Sequence, residues 1–226
     1  MIECTDKWHK TFEGGHVGVL LMGRVDNSKR HTPLDKKKRD LETRLRATYA
    51  EFSRKDFLDI EVLGAYRDYY KQFGNTYHVQ GQLESVVHKG KNLPSVNPLV
   101  DANFIAELDS FVLTAGHDAD LLRPPIIIDV TEDGELFTQM NGKDKRLKAN
   151  DIMMRDNEGI VCTILYGQDD RTAISPRTKR ALYVAYAPDG VPKGSVQTQL
   201  ELIKENVLLF APEALTETYE IYTARG

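Results

Sequence analysis

The stretch "AGHDADLLRPPIIIDV" (Ala115–Val130) is the point at which the character of the chain changes. Before it, apolar residues recur at helical spacing. After it come short apolar runs divided by turn residues. Upstream, Leu41, Leu45, Tyr49 and Phe52 mark one buried helix face, and "EVLGAYRDYYKQFG" (Glu61–Gly74) is amphipathic and stops on glycine. "YHVQGQLESVVHKG" (Tyr77–Gly90) reads as a third helix closed by Gly90, and Phe104, Leu108 and Phe111 predict one face of a fourth. Downstream, "IIIDV" and "ELFTQM" flank "TEDG", "NGKD" follows, and "IMMRD" and "IVCTILYG" flank "NEG". These patterns predict antiparallel hairpins.

The ends of the chain complete the pattern. "HVGVLLMGRV" (His16–Val25) predicts an opening strand, and "ALYVAYAP" (Ala181–Pro188) a buried one. Thr32 is read as the N-cap of the first long helix with Pro33 at its first position, and Ser195 as the N-cap of the last. Val196, Leu200, Ile203 and Val207 form the stripe of that last helix, and "TETYEIYTA" predicts a closing strand. Helices first, then mostly antiparallel β, then a C-terminal helix and strand, argue for an α+β fold rather than regular βαβ alternation. No repeat or linker interrupts residues 1–226, so one domain is expected.

Composition excludes several classes. The chain has 226 residues, 41% hydrophobic and 28% charged, which is ordinary for a globular protein. Runs such as "VGVLLM" are far shorter than the roughly 20 residues a membrane helix needs. The charged N-terminus lacks a signal-peptide core, and Cys4 and Cys162 form no disulfide framework; a cytoplasmic protein with no membrane partner is expected. The net charge of −4 argues against a purely electrostatic nucleic-acid binder. It is uneven, however: "NSKRHTPLDKKKRD" (Asn27–Asp40) holds six Lys and Arg, and "HKGK" (His88–Lys91) adds a smaller knot. The basic first turns at Lys36, Lys37, Lys38 and Arg39 oppose the helix dipole, which suits either a solvated face or an RNA contact.

No P-loop, G-x-G-x-x-G, HExxH, paired cysteines or G-x-S-x-G occurs. His117, Asp118 and Asp120 could offer one nitrogen and two oxygens to a divalent cation, but every further ligand would have to come from elsewhere. Turn formation is the simpler reading for the two aspartates. No metal and no cofactor are expected. Cys162, within an apolar strand, reads as a small buried hydrophobe.

Five segments in order, "AYRDYYKQFG", "QLESVVHKGKNLPSVNPLVDAN", "GHDADLL", "EGIVCTILYGQDDRT" and "TKRALYVAYAP", resemble the B3/B4 domain of the phenylalanyl-tRNA synthetase β subunit and its free-standing relatives. The likeness spans about residues 61 to 190, and "LPSVNPLVDAN" is its most specific part. In the synthetase this domain hydrolyses tyrosine wrongly attached to the phenylalanine tRNA. Such a hydrolytic sieve is needed where a synthetic pocket cannot reject near-isosteres by more than a few kcal/mol. The resemblance therefore implies an α+β B3/B4 domain that binds aminoacylated tRNA, not DNA, and clears mischarged species in trans.

By the same resemblance, His117 takes the place of the editing pocket's histidine and would orient or polarise the attacking water. Asn103 is the nearest match to a pocket asparagine, one residue short in spacing. Gly167 matches the glycine that lets substrate approach the backbone, and Arg171 and Thr172 match an "RT" pair that would contact the terminal adenosine, though Arg171 equally suits an ion pair with Asp169 or Asp170. Tyr183 stands where the synthetase has the glutamate that reads the tyrosine hydroxyl. Losing that carboxylate removes the paired hydrogen bond on which the discrimination rests, so a smaller or more apolar aminoacyl group is expected. Two alternatives remain open: a non-catalytic RNA-binding module gripping through the basic stretch from Lys29 to Arg39, and a small-molecule binder or hydrolase that reuses the pocket.

Overall fold

The computed structural model describes residues 2–28 and 31–225; Lys29 and Arg30, which open the basic stretch, lie outside the described residues. The chain begins with β1 (Ile2–Cys4), α1 (Asp6–Thr11) and β2 (His16–Gly23). Five helices follow: α2 (Thr32–Thr48), α3 (Arg54–Leu58), α4 (Glu61–Gln72), α5 (His78–Lys89) and α6 (Pro98–Ser110). The β half comprises β3 (Thr114–Asp118), β4 (Ile126–Val130), β5 (Leu136–Thr138), β6 (Asp144–Arg146), β7 (Ile152–Asp156), β8 (Gly159–Thr163), β9 (Gly167–Gln168) and β10 (Ala181–Ala187). Helix α7 (Lys193–Phe210) and β11 (Leu215–Thr223) close the chain. This is the α+β order expected from the sequence.

The strands form a five-stranded sheet, β1-β4-β7-β8-β9, a four-stranded sheet, β11-β2-β10-β3, and the separate hairpin β5-β6. Every described pairing is antiparallel except that of β1 with β4. All seven residues of β10 are buried, which is why "ALYVAYA" reads as a continuous apolar run. One of its faces meets α6 and α7. The hydroxyl of Tyr183 on that face donates to the Leu99 carbonyl of α6 at 2.9 Å. A Cβ on Gly18, which pairs with Ala185 of that same face, would stand 2.5 Å from Val196, so the glycine lets α7 lie close on the sheet. No described helix is long and apolar enough to cross a membrane.

Several local expectations shift. "TEDG" is not a hairpin turn: Ile126–Val130 pairs with β7 and β1, and it is Asn141-Gly142 that turns β5 onto β6. With alternate residues of β4 buried, the sheet offers it a better partner than the three-residue β5. The cap of α2 is His31 rather than Thr32, and that of α7 is Pro192 rather than Ser195; neither side chain caps the helix. Phe111 does not extend α6. It ends it in the left-handed conformation (φ 64°), and Tyr77 donates to its carbonyl at 3.0 Å. His117 lies in strand β3 rather than in a turn.

Candidate functional site

A cavity of about 600 Å³, in the size range of ligand pockets, opens between the helical half and the strands. Helix α6 supplies Val100, Asn103, Phe104 and Glu107, one face at i, i+3, i+4 and i+7. Strand β3 supplies Thr114–Gly116, β8 and β9 supply Cys162, Thr163, Gly167 and Gln168, and β10 supplies Tyr183 and Tyr186. The turn of the β5-β6 hairpin, through Gln139, Met140 and Asn141, closes one side, and α5 adds His78 and Gln82. Val96 and Met140 stay 63% and 56% exposed and give the cavity an apolar rim.

Two polar side chains of α6 on the lining are held by β3. The Asn103 side-chain amide donates to the Thr114 carbonyl at 2.8 Å, leaving its second proton unused by that bond. Glu107 Oε2 accepts from the Thr114 amide at 2.9 Å. Burial pushes the Glu107 carboxyl up to about 7, and the Thr114 amide only partly opposes this. A carboxyl titrating there exchanges a proton readily at neutral pH. Gly167 has φ 78°, a conformation L side chains rarely adopt, while an added Cβ would meet nothing within 4 Å. Its backbone angle calls for glycine, and the space above it is open. Burial pushes the Cys162 thiol up, so it stays protonated, an inert part of the wall.

Of the residues singled out in the sequence, Asn103, Gly167 and Tyr183 come together on this cavity, whereas His117, Arg171 and Thr172 are not on its lining. His117 is 0% exposed, and its Nδ1 lies 2.7 Å from Thr172 Oγ1. The single hydroxyl proton of Thr172 goes to Asp169, so Nδ1–H must be the donor to Thr172. That leaves Nε2 unprotonated, buried and without a partner among the described residues. Burial, with Arg171 nearby, pushes the imidazole down to about 3. His117 thus sits behind the cavity wall, where the Asp118 amide also donates to the Thr172 carbonyl at 2.8 Å. Arg171 serves structure in the same way. It grips both oxygens of Asp156 at 2.8 and 2.9 Å and donates to the Leu121 carbonyl. Asp118 caps the following turn and accepts from Thr178, while Asp120 pairs with Arg180, so the two carboxylates do not converge with His117 on a cation.

The four cations of the basic stretch have different surroundings. Lys38 is fully buried, with its ammonium 2.6 Å from Asp101 and hydrogen-bonded to the Pro94 carbonyl and Ser95. Arg39 pairs with Glu42 and donates to the Leu93 carbonyl, and Lys37 lies 3.8 Å from Glu205. Lys36 alone of the four is exposed. The apparent conflict with the helix dipole therefore reflects a buried tie between α2 and the entry to α6.

Residues 65–202, more than half of the chain, match the B3/4 domain family. The chain belongs to that family. No curated protein sequence matches it. Among solved structures, this B3/4 domain is similar to an N-terminal fragment of the phenylalanyl-tRNA synthetase β subunit from Pyrococcus horikoshii, at 11% identity and a TM-score of 0.48. The likeness covers 98% of this chain and 50% of that fragment, so the chain spans about half the fragment's length. The resemblance noted in the sequence pointed to Asn103 and Gly167 but not to Glu107, which sequence reasoning missed. Its only local signal was the i, i+4 spacing from Asn103; that this face lines a cavity follows from the packing of α6 against β3.

Proposed function

We propose that this B3/4 domain binds the 3′ end of an aminoacylated tRNA and hydrolyses the aminoacyl ester in the α6–β9 cavity, with Glu107 as the general base. The observation that carries the reading is the gathering of Asn103, Glu107, Gly167 and Tyr183 on one largely apolar cavity, with the Glu107 carboxyl poised at about 7. Glu107 takes a proton from water as the water oxygen attacks the ester carbonyl. Asn103, through its second amide proton, and the open backbone at Gly167 face the developing oxyanion. Collapse of the tetrahedral intermediate breaks the bond to the ribose oxygen. Glu107 returns its proton to that oxygen, releasing the free amino acid and an uncharged tRNA.

The floor of the cavity bears on the aminoacyl group. Tyr183 carries no charge, and its hydroxyl is already engaged with the Leu99 carbonyl. That favours a small or apolar side chain over a phenolic one. The reaction is tested by charging tRNAs with non-cognate amino acids and following loss of label. Release should rise with pH to a plateau above about 7 as Glu107 ionises. Glu107→Gln should lower it by about 10²- to 10⁴-fold. No release above the uncatalysed rate from any species, or an unaffected Glu107→Gln variant, would sink the reading.

A further inference from the structure

The segment "NGKDKRLK" (Asn141–Lys148) holds four Lys and Arg against one Asp in a protein whose net charge is −4. It forms the turn and second strand of the β5-β6 hairpin, whose tip residues Gln139, Met140 and Asn141 line the cavity. Lys143, Lys145, Arg146 and Lys148 are exposed, and none lies within 4 Å of a carboxylate oxygen among the described residues. The side chains of Arg146 and Lys148 donate to the backbone carbonyls of Gly134 and Phe73. The hairpin is laced to the cavity wall: Met140 donates its amide to the Gln168 carbonyl at 3.2 Å, and Gln139 donates its side-chain amide to the Tyr166 carbonyl at 3.3 Å. Tyr166 lines the cavity, and the Lys145 ammonium lies 5.4 Å from its ring centroid. Leu136 and Met140, 61% and 56% exposed, add apolar surface to this hairpin.

We infer that the β5-β6 hairpin and Tyr166 form the grip for a single-stranded RNA 3′ end, with Lys143 and Arg146 on its phosphates and a base taking the face of the Tyr166 ring that Lys145 now covers, as Lys145 turns to a third phosphate. Cationic side chains beside an aromatic platform are the recurring means of holding single strands. The position fits the reading above, on which this inference rests. A strand held here ends at a cavity mouth, which would deliver a terminal ester to Asn103 and Glu107. Among the described residues the α2 stretch offers a poorer route, because Lys38 is buried, Arg39 and Lys37 face carboxylates, and Lys36 alone is exposed.

The test is the binding of uncharged tRNA and of a short single-stranded RNA, followed by fluorescence anisotropy across a salt titration. Replacing Lys143, Lys145 and Arg146 together by Gln should weaken binding at least tenfold at low salt. It should also reduce the log–log salt slope by about 2, at roughly 0.7 per lost phosphate contact on a single strand. Tyr166→Ala should weaken the single strand by roughly 5- to 150-fold, the range expected for loss of one stacked base. Lys36→Gln with Lys37→Gln should have the smaller effect. Undiminished RNA binding by the triple variant, or binding of duplex DNA as tight as that of the single strand, would overturn the grip. Tight RNA binding without deacylation sinks the hydrolysis and leaves the grip standing; deacylation at full rate by the triple variant does the reverse. No RNA binding by the wild type at low salt overturns both.

Discussion

The buried pair of Lys38 and Asp101 sets a test of what the basic stretch is for. The ammonium has three acceptors, Asp101 Oδ2 at 2.6 Å, the Pro94 carbonyl at 2.8 Å and Ser95 Oγ at 3.1 Å, and Asp101 Oδ1 also accepts the Val96 amide at 2.9 Å. Lys38→Met leaves a carboxylate buried without its counter-ion. Breaking a buried pair in this way costs about 3–5 kcal/mol. For a domain of this size each kcal/mol shifts Tm by about 2–4 °C, so the melting temperature should fall by roughly 6–20 °C. Lys38→Met combined with Asp101→Asn removes both charges and keeps an acceptor for the Val96 amide, so it should recover most of the loss. Urea unfolding followed by circular dichroism measures all three proteins. A loss below about 1 kcal/mol in the single variant would refute the structural role. So would normal stability accompanied by lost RNA binding, since that would return Lys38 to the surface.

Two pH dependences follow from the buried titratable groups. Glu107, ordinarily at 4.5, is held at about 7, so the folded protein keeps a proton that the unfolded chain has lost; its contribution to stability should fall by about 3 kcal/mol as pH rises from about 4.5 to 7. Glu107→Gln should remove that contribution in pH-dependent urea titrations, leaving those of Asp151, which burial holds at about 6, and of His117; an unchanged slope would count against it. His117 works in the opposite sense. Held at about 3 against an ordinary 6.5, it should cost stability as pH falls below about 6.5, and His117→Asn should remove part of that acid sensitivity. A His117→Asn protein as acid-labile as the wild type would show that the imidazole is not held neutral.

Much of the site's address was legible in the chain. "LPSVNPLVDAN" and "GQDDRT" carried Asn103 and Gly167 through motif order, and the positive φ at Gly167 gives a backbone reason for the glycine. The helix–strand order was readable because periodicity is a local property. Roles were not. His117 and Arg171 occupy motif positions, yet strand pairing and packing turn their side chains into the wall. Lys38 belongs to the most basic run in the sequence, but Asp101, 63 residues away, buries it. Glu107 gave only a four-residue spacing, and its raised pKa exists only because β3 and the surrounding tyrosines remove water from it. By itself, then, the sequence determined the α+β order, the family and the segments that meet at the cavity, since these depend on local pattern and motif spacing. Which side chains face the cavity, which are buried as struts and where protons are held were decided only by tertiary packing, because exposure and solvation belong to the assembled fold rather than to neighbours in sequence.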